Sequence, residues 1–308
     1  MNEKTALDEL SAEIDDALAL LDDYAATLPA APVTDSFPSL LDQCEAMCAA
    51  FAGPEPVRSL HHLACTGGTL IAKCLAALPG VVLLNEIDPL SRLRLADPRS
   101  KPPFAPTDLF ISLHQSLRRV DESVIADGFR AAVGSVAAGL SRKGQILLIR
   151  DHAHSHFCAR VDPAGRPSLH EILSADRAPL SAVTIRHPLD SFASLHREGW
   201  IHFTPQTLAE YSLRYMAFLD RHADLPVLRY EDFVADPGRE LENLCRILKL
   251  PFHPAAIELI PIIRVSGDSG RASAQIAPRP RRDLPEEIAA QRGSYDYLSL
   301  CRRLDYEP

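Results

Sequence analysis

Residues 58–78, RSLHHLACTGGTLIAKCLAAL, decide how the rest of the chain is read. Residues 60–64 form a short apolar segment broken by His61 and His62, which reads as a buried strand. Cys65-Thr66-Gly67-Gly68-Thr69 follows, and from Leu70 apolar residues recur at helical spacing. Strand, glycine turn and helix together aim backbone N–H groups and the positive end of a helix dipole at an anion. Thr66 and Thr69 add hydroxyl donors. Taken alone, the stretch fits equally well an ordinary turn in which Gly67 and Gly68 serve only the backbone. A Gly-Gly pair lacks the spacing of a full phosphate-loop signature.

Working outward, four more apolar runs have the character of parallel strands buried on both faces. Residues 81–84 deliver Asn85-Glu86-Ile87-Asp88, and residues 145–150 end in Arg150-Asp151-His152-Ala153-His154-Ser155-His156. Residues 182–185 lead into Arg186-His187-Pro188-Leu189-Asp190-Ser191, and residues 226–232 form a fifth strand. Helical patterns separate them: residues 108–140 as two helices meeting near Asp121, then a helix ending near Arg197, then 205–223 and 237–248. Alternating strands and helices predict an α/β fold, a doubly wound and mostly parallel sheet flanked by helices. Ligands of such sheets sit at the carboxyl ends of the strands. Residues 7–28 are amphipathic and acidic, and a Pro-rich linker and a second amphipathic piece at 40–51 follow. The expected division is therefore an N-terminal helical arm at 1–56 and the α/β domain at 57–308. A homo-oligomer joined through the arm is the partnership it allows.

With 308 residues and 46% hydrophobic content, the chain can bury a sizeable core. A net charge of −9 argues against general nucleic-acid or anionic-membrane binding. An anionic ligand would have to be recruited by local arginines. Seven cysteines without a C-x-x-C pair suggest reduced thiols. The acidic N-terminus is unlike a signal peptide, and no apolar run reads as a membrane span. The expectation is a cytoplasmic protein.

Four stretches, in order, resemble the bacterial-type sulfotransferases that use 3′-phosphoadenosine 5′-phosphosulfate (PAPS) and have a P-loop-like fold. Cys65-Thr66-Gly67-Gly68-Thr69-Leu70 is similar to the family's 5′-phosphosulfate loop. Arg186, with Ser194 eight residues on, is similar to its 3′-phosphate site. Leu228-Arg229-Tyr230-Glu231-Asp232-Phe233 is the third, and Gly267-Asp268-Ser269-Gly270-Arg271 with Pro278-Arg279-Pro280-Arg281-Arg282 is the fourth. The resemblance covers residues 58–282 and implies PAPS as co-substrate, with no metal required. It implies cofactor contacts from Thr66, Gly67, Gly68, Thr69 and Leu70, from Arg186 and Ser194, from Tyr230 near the adenine, and from Arg271 closing over the 3′-phosphate. A guanidinium fork suits a phosphate, and a hydroxyl can complete it.

One departure matters. Family loops carry Lys or Arg where this sequence has Cys65. Lys73, one turn beyond Thr69, is the nearest substitute, although its pattern reads as a helix-surface lysine. His61, His62 and Arg150 are other sources of positive charge. Arg186 also has an ion-pair partner at i+4 in Asp190, and Arg279 to Arg282 read as a solvated face.

Sulfuryl transfer needs a base for the acceptor proton. His152, at a position similar to the family's catalytic histidine, is the first candidate, and Glu86 is the second or an acceptor-binding group. His152, His154 and His156 would share one face if the strand continued through them, which is the pattern of a zinc site. That rival rests on spacing alone. The expected reaction moves a sulfuryl group onto a hydroxyl or amine of a small-molecule or saccharide acceptor. A nucleotide-dependent phosphotransferase is the alternative, weakened because no G-x-x-x-x-G-K-[ST] is present. A non-catalytic nucleotide-binding scaffold is the third reading, kept open by Cys65.

Overall fold

The computed structural model describes residues 16, 18–20, 39, 55–93, 108–160, 162–266 and 275–308. The chain divides into two units, Met1–Gly53 and Pro54–Pro308. The architecture below belongs to the second. Most of the expected N-terminal arm, the amphipathic piece at 40–51 and the loop bearing Arg271 lie outside the described residues.

Five strands are described: β1 (Arg58–His62), β2 (Val81–Ile87), β3 (Ile146–Asp151), β4 (Leu180–Ile185) and β5 (Val227–Arg229). They form one sheet in the order β2-β3-β1-β4-β5, every pair parallel. The α/β expectation is met. Because β1 lies between β3 and β4, the turn leaving it opens at the middle of the sheet's carboxyl edge, where an α/β sheet forms its crevice.

The helices of this unit are α1 (Gly68–Ala76), α2 (Leu109–His114), α3 (Glu122–Ser141), α4 (Ala153–Phe157), α5 (Leu169–Ser174) and α6 (Pro188–Arg197). They continue with α7 (Leu208–Arg221), α8 (Tyr230–Ala235), α9 (Pro237–Leu248), α10 (Glu286–Ala289) and α11 (Tyr295–Leu304). Strand alternation sorts them into layers. Leu60, Leu148, Ala182 and Leu228 pack one face of the sheet against α1, α8 and α9. On the other face Leu147 and Ile149 meet α3 and α5, and Val183 and Ile185 meet α6, α7 and α11. Helix α3 is long and apolar enough to cross a membrane by length and composition, which the sequence reading did not register. Its buried residues, Ile125, Ala126, Phe129, Val133 and Ala137, recur at three- and four-residue spacing and form the stripe of a core-packing helix.

Two boundaries differ from expectation. The fifth strand stops at Arg229, and Tyr230 begins a helix. The histidine-rich run after β3 is also helical over Ala153–Phe157. Successive even residues therefore fall on different sides of it. His156 Nε2 bonds the Pro163 carbonyl at 3.0 Å, while the ring of His154 stands beside His152 and His202. The three imidazoles of the proposed zinc pattern do not converge.

A buried clamp fixes the strand ends. Arg166 grips Asp88 through both guanidinium nitrogens, at 2.7 and 2.6 Å, and Ser155 Oγ donates to the same carboxylate at 2.5 Å. Burial pushes the Asp88 carboxyl up, but the Arg166 guanidinium outweighs it and holds the group below the ordinary carboxylate range.

Candidate active site

The β1–α1 turn is built around two glycines with different reasons for being there. Gly67 has φ of +89°, and a Cβ on it would lie 2.1 Å from the Tyr230 ring. Gly68 has its missing Cβ position 2.3 Å from the His62 ring. Each glycine lets an aromatic ring close against the loop backbone. Cys65 also takes a left-handed φ, +62°, and its carbonyl accepts a hydrogen bond from Arg186 Nη1 at 3.2 Å. Helix α1 starts at Gly68 with no side-chain cap, as an anion-binding helix start requires.

The loop opens into a cleft of about 570 Å³ at the carboxyl edge of the sheet. Gly67, Gly68, Thr69, Leu70, Lys73, Glu86, His152, Arg186, Ser194 and Tyr230 all line it. Residues far apart in sequence therefore meet in one place. Thr66 differs. Its side chain is fully buried, and its hydroxyl donates to the Leu63 carbonyl at 2.8 Å, so it holds the turn instead of facing the cleft. Arg271 lies outside the described residues.

Positive charge reaches the loop from Arg150. This guanidinium is only 3% exposed and donates from Nη2 to Thr69 Oγ1 at 2.7 Å, from Nη1 to Asn85 Oδ1 at 2.8 Å and from Nε to His62 Nε2 at 2.8 Å. His62 is held neutral by burial, reinforced by the Arg150 charge, so its Nε2 lone pair can accept that bond. Glu86 Oε1 lies 3.7 Å from Arg150 Nη1. Glu86 sits at φ +56° where the β2–β3 register shifts, a bulge that re-aims its side chain. Lys73 corrects the surface-lysine expectation: it is 3% exposed, and seven of the nine residues of α1 are buried, so the helix leaves it no outer face. Burial pushes the Cys65 thiol up to about 12, leaving it uncharged.

A second arginine faces the loop. Arg186 Nη1 is 3.5 Å from Ser194 Oγ, and its guanidinium carbon stands 5.0 Å from the centre of the Tyr230 ring. The anticipated partner Asp190 instead binds Arg281 Nε at 2.7 Å. That pair brings residues 278–285 to the mouth of the cleft, so the arginines read as a solvated face are exposed but rim the site. Glu231 ties the neighbourhood together: it accepts from the His187 amide at 3.0 Å and from the Tyr306 hydroxyl at 2.7 Å.

His152, the N-cap of α4, and Glu86 both face the cleft, and His154 and Trp200 continue its wall. Burial first, then the neighbouring His152, lowers His154 to about 3. His154 is therefore neutral across the physiological range. Asn85, which holds Arg150, and Trp200 have no signal in the sequence, because their roles depend on partners distant along the chain.

No protein-family model and no curated protein sequence matches the chain. Among solved structures it is similar to the sulfotransferase domain from the Synechococcus PCC 7002 olefin synthase. The match has 16% identity and a TM-score of 0.45, and covers 83% of this chain and 97% of that one.

Proposed function

We propose that the protein is a sulfotransferase that moves a sulfuryl group from PAPS to a hydroxyl or amine of a small-molecule or saccharide acceptor. One observation carries this reading. A glycine loop backed by Arg150 and a separate Arg186–Ser194 pair line the same cleft, with the Tyr230 ring against both Gly67 and Arg186. A 5′-phosphosulfate and a 3′-phosphate joined through a nucleoside need two such cationic positions with an aromatic surface between them.

In this reading the loop amides and Thr69 hold the phosphosulfate. Arg150 and Lys73 take the charge that the uncharged Cys65 cannot. Arg186 and Ser194 hold the 3′-phosphate, Arg271 adds to it, and Tyr230 packs the adenine. His152 removes the acceptor proton as the acceptor oxygen or nitrogen attacks sulfur and the S–O bond to the phosphate breaks. Glu86 orients the acceptor or serves as the second base. Positioning and charge stabilisation carry such a step without a covalent intermediate. Buried cations at the loop also answer the feature that favoured a scaffold, since they supply the charge missing at Cys65.

Transfer of label from [³⁵S]PAPS to a panel of phenols, alcohols, amines and saccharides tests the activity. Labelled product that vanishes in His152→Ala supports the assignment. Tight nucleotide binding without transfer to any acceptor class would reduce the protein to a binding scaffold.

A further inference from the structure

On the sheet face away from α1 lies a polar cluster that the transfer reaction does not use. Alternation along β1 sends Leu60 and His62 toward α1, and Ser59 and His61 the other way. There His61, Asp151 at the end of β3 and His222 just beyond α7 meet, and each is at most 3% exposed. His61 Nδ1 is 2.8 Å from Asp151 Oδ2. One ligand atom from each of the three residues lies within 4.8 Å of the others.

The outward sides of both imidazoles are occupied by the partners that fix metal-binding histidines. His222 Nδ1 bonds the Phe218 carbonyl at 2.7 Å, which places its proton there and leaves Nε2 as a lone pair. That Nε2 is buried with no hydrogen-bond partner. His61 Nε2 meets Ser59 Oγ at 2.9 Å, and Ser59 passes the contact to Ser181 at 2.8 Å and on to His170 Nδ1 at 3.2 Å. Burying an unpaired acceptor beside a carboxylate is costly unless something with positive charge sits between them.

We propose that His61 Nδ1, Asp151 Oδ2 and His222 Nε2 bind one divalent transition-metal ion, with zinc(II) the best suited. Two imidazole nitrogens and one carboxylate oxygen form a borderline-to-hard set that zinc accepts, and a water or His170 can complete four-coordination. The His170 ring stands 5.5 Å from that of His61 and 6.1 Å from that of His222, and it is the partly exposed member of the group. It marks the way in.

The role is structural. The ion cross-links the end of β3 to β1 and α7, and so fixes Asp151 between Arg150 and His152, both of which face the cleft. The site does not depend on the cofactor assignment.

The experiment is elemental analysis of tag-free protein, as purified and after chelator dialysis followed by zinc(II) or cobalt(II) loading. The expected result is a single equivalent per chain, a visible cobalt(II) ligand-field spectrum, and at least about tenfold less metal retained by His222→Ala. Chelation should lower the melting temperature, and zinc should restore it. If loaded wild-type protein retains no metal and gives no cobalt spectrum, the proposal is overturned, and this reading requires no variant to fold. Undiminished metal in a folded His222→Ala variant overturns it too, because the ion would then sit elsewhere.

Discussion

Gly67 and Gly68 are the residues on which the nucleotide reading turns, and each is closed over by a ring, Tyr230 far along the chain and His62 six residues back. A methyl on Gly67 would sit 2.1 Å from Tyr230 at a φ of +89°, so Gly67→Ala must both strain the backbone and push the ring away. Gly67→Ala is expected to weaken adenosine 3′,5′-bisphosphate binding by at least about tenfold, read by calorimetric titration. Unchanged affinity would mean that Tyr230 does not pack the nucleotide. The glycine pair itself was legible in the sequence, and so were Arg186 and Ser194 as a set. The Tyr230 ring opposing Gly67 was not, because no local pattern encodes a contact between the β1–α1 turn and α8. The burial of Lys73 is hidden from the sequence for a related reason. Its spacing looks like that of an exposed residue, but α1 is packed on nearly every side. Thr66 looked like a ligand donor because hydroxyl and glycine are neighbours in sequence, whereas its hydroxyl closes the turn onto Leu63.

Among the elements, the Asp88–Arg166 clamp matters most, since it joins the end of β2 to the segment entering α5. Both side chains are 6% exposed, and Ser155 adds a third bond from α4. Removing one partner of a buried pair leaves the other charge uncompensated, at a cost of about 3–5 kcal/mol. Arg166→Met should lower the unfolding free energy by that amount in urea titration. A loss below about 1 kcal/mol, the scale of an exposed ion pair, would show that the clamp is solvated. The main strands and long helices were readable in the sequence to within a few residues, because buried parallel strands are continuous apolar runs. Short elements were not. Five residues of α4 carry too little propensity to specify a helix, and the Pro163 carbonyl that receives His156 is fixed only by tertiary structure.

At the scale of the whole molecule, acid stability depends on buried histidines. Burial holds His154, flanked by His152 and His202, near 3. Burial also holds His156, which faces Arg166, Asp88 and Arg221, near 4. Both lie below the ordinary 6.5, so the unfolded chain takes up protons first as pH falls, and the stability present above 6.5 is lost on the way to about 4. His187, lowered by burial, slopes the same way. The urea midpoint should therefore fall steadily between pH 7 and pH 4.5. A flat profile would mean that these imidazoles protonate in the folded protein. Net charge shaped a second expectation: a chain of −9 needs its cations gathered locally to bind an anion. Arg150, Lys73 and Arg186 line the cleft, with Arg279, Arg281 and Arg282 at its mouth.

Calorimetric titration of wild type and Arg186→Ala with adenosine 3′,5′-bisphosphate and with 5′-AMP tests the central claim most directly. A charged guanidinium–phosphate contact contributes about 1.5–3 kcal/mol. The account predicts that wild type prefers the bisphosphate by at least about tenfold and that Arg186→Ala erases the preference without abolishing AMP binding. Equal affinity of wild type for the two nucleotides would contradict it, because the cleft would then have no 3′-phosphate site.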